Sequence, residues 1–158
     1  MPKNFLDKIY KSNFNISSNK LYKMWAPYYD KELTDNQYVT PFRCAQILND
    51  LIYDKEVKIL DVGCGTGLSG NALRKFGFYQ IDGLDFSKEM LKIASEKKIY
   101  NSLLNLDLKN LSKLNKRYEV IIASGVISPD HANPNIIKSA YSILDKKGLL
   151  IFSLNDHA

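Results

Sequence analysis

No stretch of this 158-residue chain approaches the roughly 18–20 consecutive apolar residues of a membrane-spanning helix. The first residues, MPKNFLDKIYKSNF, contain no continuous apolar run and carry Asp7, which excludes a secretory signal. Together these absences predict a cytoplasmic protein with no membrane attachment. There are only two cysteines, Cys44 and Cys64, with no C-x-x-C and no metal-ligand spacing; reduced thiols and no metal site are expected. Arginine is scarce as well. Of 22 Lys and Arg residues only Arg43, Arg74 and Arg117 are arginines, and the lysines are scattered. A nucleic-acid reader concentrates both types on one face, so the net charge of +5 does not by itself argue for such a partner. No internal repeat and no low-complexity linker divide the chain. Its length supports one domain with one sizeable core.

What is present is an alternation. Residues 1 to about 55 read as a helical segment, with breaks near Ser17-Ser18 and from Asp30 to Pro41. Phe42, Ala45, Ile47, Leu48, Leu51 and Ile52 recur at helical spacing after Pro41, which suits a first helical turn. From 56 to 158 short apolar runs alternate with helical patterns. Strands are predicted at VKILDV (57–62), YQIDGLD (79–85), SLLNLD (102–107), YEVIIAS (118–124) and LLIFSL (149–154). Helices are predicted from about 67 to 76, from a Ser87 cap through Ala94, and from Pro134 to Leu144. This order predicts an α/β fold, a Rossmann-like doubly wound parallel sheet of five strands with N-terminal helices. In such sheets the ligand lies beyond the carboxyl ends of the strands.

The turn after the first strand, DVGCGTGLSG (61–70), carries two overlapping glycine patterns. Read from Gly65, GTGLSG is the G-x-G-x-x-G of a dinucleotide fingerprint, and Asp85 lies where a ribose-binding acid is expected. A nicotinamide-dependent oxidoreductase is the alternative that this pattern leaves open. Read from Asp61, it is D-x-G-x-G-x-G, and this reading uses every residue. Asp61 can accept from the turn and from an ammonium group, and Gly63, Gly65 and Gly67 allow close backbone approach. Asp85 can take both hydroxyls of a ribose, and Asp107 can accept from an exocyclic amine. Three acids at three successive strand ends suit a cationic, adenosine-bearing ligand, whereas a pyrophosphate would be repelled by Asp61.

ILDVGCGTGLSG, IDGLDFSKEMLKIA, LNLDL and YEVIIASGVI, in that order and spacing, resemble the class I S-adenosylmethionine-dependent methyltransferases. YKMWAPYYDKELTDNQYVTPFRCA, with its W-A-x-x-Y-D segment, is similar to the methyltransferase-like group of the Williams–Beuren syndrome chromosomal region and its bacterial relatives. The resemblance implies S-adenosylmethionine as cofactor and S-adenosylhomocysteine as product. It implies that Asp61, Gly63, Cys64, Gly65 and Gly67 cradle the methionine portion and that Asp85 binds the ribose. Phe86 and Leu108 would pack on the adenine, whose amine Asp107 would bind, and Ser124 would face the sulfonium end. Trp25, Tyr28 and Tyr29 belong to a segment that folds over the cofactor; we assign Tyr28 to the methionyl carboxylate. His131, after strand four, is the candidate general base.

The acceptor is expected to be a small molecule, since SGVISPD stands where an amine-methylating N-P-P-Y would. Class I methyltransferases continue for two further strands, whereas the sequence given ends after strand five. That leaves an apolar edge, and two expectations stay open: the sequence is a truncated or split product, or a second copy or partner chain covers the edge. On this ground a second reading stays open: an S-adenosylmethionine-binding subunit with little activity alone.

Overall fold

The computed structural model describes Phe5 and residues 17–127 and 135–154. Five parallel strands form one sheet, β1 (Ile59–Val62), β2 (Ile81–Asp85), β3 (Ser102–Asn105), β4 (Tyr118–Ile127) and β5 (Leu144–Leu154), in the order β3-β2-β1-β4-β5. The sequence therefore gives the Rossmann-like sheet that was expected, and the order reverses between β1 and β4. That reversal places the switch-point crevice at the carboxyl ends of these two strands.

Every residue of β1 and of β2 is buried, which is why both read as apolar runs interrupted only by acids and a glycine. Alternate side chains leave opposite faces. Ile59, Ile81, Val120, Ile122 and Ile151 pack under helices α3 (Thr40–Leu51) and α4 (Leu68–Lys75) with Cys44, Leu48 and Leu73. Leu60, Val62, Leu84 and Ile121 pack on the other face against α6 (Asn135–Ser142) and a 3₁₀ segment, Leu108–Lys113. Helix α5 (Lys88–Glu96) starts as its sequence predicts, with Ser87 Oγ accepting from the Met90 N–H at 3.3 Å.

Two local expectations are corrected. The break predicted from Asp30 to Pro41 is instead largely helical. Helix α1 (Ser18–Trp25) passes through a 3₁₀ turn, Ala26–Tyr28, into α2 (Tyr29–Asp35). Acidic Asp30 and Glu32 in the first turn favour α2. Its end is a Schellman motif, in which the Gln37 N–H donates to Thr34 O and the Tyr38 N–H to Leu33 O, both at 3.0 Å. Gln37 adopts φ 55° to make it. Second, the last helix stops at Ser142 and β5 begins at Leu144, earlier than predicted, with Tyr118 paired to Leu144. Gly148 permits this, because a Cβ there would lie 2.7 Å from Leu144 Cγ and 2.8 Å from Glu119 O.

Candidate cofactor-binding site

The chain leaves β1 through Asp61 and Val62 and turns at once. Gly63 and Gly65 stand at φ 67° and 52°, a region costly for any residue with a Cβ. The Cys64 N–H donates to Leu84 O at 3.0 Å, which pins the turn against the end of β2. Asp85 then closes over it. Its Oδ2 accepts from the Gly65 N–H at 2.8 Å and its Oδ1 from the Ser87 N–H at 2.9 Å. Thus one carboxylate orders both the glycine turn and the start of α5.

Asp61 and Asp85 are both buried, at 1% and 6% exposure, and neither has an ion-pair partner among the described residues. Burial pushes the Asp61 carboxyl up to about 7, against a hydrogen bond from the Tyr100 hydroxyl; the charge of Asp85 adds to the rise, and the Gly70 amide opposes it. Burial also raises Asp85, opposed by the amides of Ser87, Gly65 and Phe86. Two buried carboxylates with no ion-pair partner among the described residues favour a cation, whose approach would hold both ionised.

Beside Asp85 and the glycine turn lies an open cavity of about 120 Å³. Gly63, Gly65, Asp85, Phe86, Leu108 and Ser124, all expected from the sequence, line it. The Ser124 Oγ is buried without an oxygen or nitrogen partner. Gly125 and Val126 complete the β4 side, and the Gly125 N–H is held by Ser153 Oγ at 2.7 Å. The other expected residues stand behind or outside the cavity. Asp61 lies behind the glycine turn, with Oδ1 unpartnered. Gly67 caps α4, and the Cys64 side chain is buried against Gly83. Asp107 is exposed and caps the 3₁₀ segment, accepting from the Lys109 N–H at 2.9 Å. His131 lies outside the described residues.

The N-terminal helices roof the cavity, but through different tyrosines from the one assigned. Tyr28 is 59% exposed and stacks on Phe5, 6.2 Å between centroids, away from the cavity. Tyr22 and Tyr29 line it instead, with Met90 from α5. Tyr22 meets Phe86 edge-on at 5.5 Å, and Tyr29 meets Trp25 at 4.5 Å. The Trp25 Nε1–H donates to Glu32 Oε2 at 2.7 Å. Asp30 fastens this roof to the glycine turn. It accepts from the Thr66 hydroxyl on one oxygen and pairs with Lys97 Nζ at 2.5 Å on the other. Tyr22 and Tyr29 stand seven residues apart, two turns of helix, so a helical reading carried through 26–28 places both on one face.

A parallel sheet of this order, a D-x-G-x-G-x-G turn after β1 and a buried acid ending β2 define the class as the Rossmann-like fold of the S-adenosylmethionine-dependent methyltransferases. Residues 59–148 match the methyltransferase domain family, and the chain belongs to it. Methyltransferase-like protein 27 of Homo sapiens is 32% identical over 120 residues, covering 73% of this chain and 49% of that protein. Malonyl-[acyl-carrier protein] O-methyltransferase 1 of Ilyobacter polytropus is 33% identical over 102 residues, covering 63% and 38%. Among solved structures, DhpI in complex with S-adenosylhomocysteine shares the fold at 19% identity and TM-score 0.67, covering 89% of this chain and 69% of that one. The chain spans about half or less of the length of these two curated relatives.

Proposed function

We propose that the cavity binds S-adenosylmethionine and that the protein transfers its methyl group to a small-molecule acceptor. The observation that carries this reading is the pair of buried, cation-free carboxylates, Asp61 and Asp85, around a positive-φ glycine turn. Such a pair favours a cationic ligand and disfavours a pyrophosphate. When bound, S-adenosylmethionine supplies an electrophilic methyl on a sulfonium.

The chain's own residues hold and orient. Asp85 keeps lone pairs beyond those given to Gly65 and Ser87, and offers them to two ribose hydroxyls. Phe86 and Leu108 flank the adenine, with Asp107 at its amine, and the backbone of 63–67 approaches the methionine portion. Ser124, Gly125 and Val126 line the sulfonium end, where Tyr22 and Tyr29 exclude water and present aromatic faces to the cation. His131, in the segment after β4, is the base proposed for the acceptor. Holding the nucleophile about 3–3.5 Å from the methyl accounts for most of the rate such a site needs. The acyl-carrier relative, named as an O-methyltransferase, supports an oxygen acceptor.

Thermal unfolding of the purified protein tests the cofactor. S-Adenosylhomocysteine at a hundred times its Kd stabilises a folded site by about 2.7 kcal/mol, and a rise in Tm is expected with it but not with NADH. A rise with NADH alone would restore the oxidoreductase reading.

A further inference from the structure

Tyr100 lies outside the cavity, in the connection between α5 and β3, yet its hydroxyl donates to Asp61 Oδ2 at 2.6 Å. Its ring fills a slot that only glycines leave open. A Cβ would stand 3.3 Å from the ring at Gly67, 2.6 Å from Cζ and the hydroxyl at Gly70, and 3.0 Å from Cδ1 at Gly83. These three positions come from the turn, α4 and β2, so three separate elements are cut back to admit one phenol. The donated bond occupies one Asp61 oxygen and leaves Oδ1 unpartnered and buried.

We propose that Tyr100 is a positioning residue for the cofactor: its donated hydrogen bond fixes the Asp61 carboxylate behind the glycine turn. This rests on the reading of the cavity as a site for S-adenosylmethionine. The environment makes such help necessary. Asp61 is faced by Asp85 from β2, by the Cys64 thiol from the turn and by the Cys44 thiol from α3, and none of these is a cation. The Gly70 amide of α4 is the other group that favours its charge. Burial and the neighbouring Asp61 charge hold the Tyr100 hydroxyl well above its ordinary value, so it remains a donor throughout the neutral range. Removing the hydroxyl leaves Asp61 near neutral pH with one fewer hydrogen bond to its ionised form. The negative potential behind the turn then fades at a pH where the wild type retains it.

The test is titration calorimetry of S-adenosylhomocysteine with the wild type and Tyr100→Phe between pH 5.5 and 8.5. Wild-type affinity is expected to rise with pH and level off above neutrality. In Tyr100→Phe the rise moves up by about one pH unit, giving affinity up to roughly tenfold weaker below pH 7 and within about twofold of wild type by pH 8.5. An unshifted profile, or a loss equal at every pH, would overturn the proposal. Carbon-detected NMR titration of the Asp61 carboxyl without ligand provides an independent reading. Its midpoint must rise in Tyr100→Phe, and also in Gly70→Ala, which pushes the phenol out of its slot and serves should Tyr100→Phe fail to fold. An unchanged Asp61 midpoint in a folded variant contradicts the proposal. Absence of ligand binding by the wild type at any pH contradicts the cofactor reading instead, and leaves the Tyr100–Asp61 coupling to the NMR result.

Discussion

Alanine at Gly63 and at Gly65 separates two costs that the glycine turn combines. Both residues stand at positive φ, 67° and 52°. A left-handed residue with a Cβ costs roughly 1–2 kcal/mol, reduced by about 0.4–1 kcal/mol because alanine also restricts the unfolded chain. At Gly65 nothing lies within 4 Å of the added Cβ, so only this balance applies. Gly65→Ala should therefore cost about 1 kcal/mol. At Gly63 the Cβ would meet Val126 Cγ2 at 2.5 Å and Val126 Cγ1 at 3.5 Å. Overpacking of that kind adds roughly 1–3 kcal/mol, for a total of about 2–4 kcal/mol. With a urea slope of about 2 kcal/mol/M, the midpoint falls by about 0.5 M for Gly65→Ala and about 1–2 M for Gly63→Ala. Val126→Ala in the Gly63→Ala background should recover the packing part and leave the backbone part. Equal losses for the two glycine variants, or no coupling between positions 63 and 126, would refute the reasoning.

Three further outcomes follow from the same structure. Asp61 has a folded-state value near 7, above the unfolded carboxylate near 3.9. The folded state thus binds the extra proton, and the ligand-free protein should lose stability as pH rises from about 4 to 7. Asp61→Asn should flatten that decline in urea unfolding while weakening S-adenosylhomocysteine binding; a steeper decline would contradict it. Asp82 works in the opposite sense. Burial would raise it, but hydrogen bonds from Lys116, Ser102 and Tyr118 outweigh burial and hold it below its ordinary value. Its contribution is present above the unfolded value and lost as pH falls through the depressed one. Asp82→Asn should cost roughly 2 kcal/mol at pH 7, and much less in acid. Trp25, the one tryptophan of the chain, packs edge-on to cavity-lining Tyr29. Its emission should change saturably with S-adenosylhomocysteine, and Asp30→Ala, by releasing Thr66 and Lys97, should diminish that change; an emission that stays constant would mean that the roof does not sense the ligand.

The sheet was legible because strands buried on both faces leave unbroken apolar runs, and their acids fall at their ends. ILDV and IDGLD carry both signals at once. The glycine turn was legible because its residues are consecutive. Less legible were features set by groups remote in sequence. Tyr100 reads as an ordinary aromatic before a strand, and only the slot formed by Gly67, Gly70 and Gly83 reveals what it touches. Asp30 ends the W-A-x-x-Y-D segment, but its partners Thr66 and Lys97 are 36 and 67 residues away. Neither Tyr28 nor Tyr29 carries a chemical mark of its role; the helical face that distinguishes them depends on the helices continuing through Ala26-Pro27, where a proline invites a break. Pro27 instead stands in the first turn of a 3₁₀ segment, where its missing N–H costs nothing.

Asp85 and the glycine turn are proposed as the site of an adenosine-bearing cofactor, by way of the Asp85 carboxylate. That site is tested most directly by titration calorimetry of S-adenosylhomocysteine against the wild type and Asp85→Ala, with folding of both verified by circular dichroism. We predict one site per chain in the wild type, and at least tenfold weaker binding once the groups meant for the ribose hydroxyls are removed. Equal affinity in the two folded proteins would place the ligand elsewhere and contradict the account.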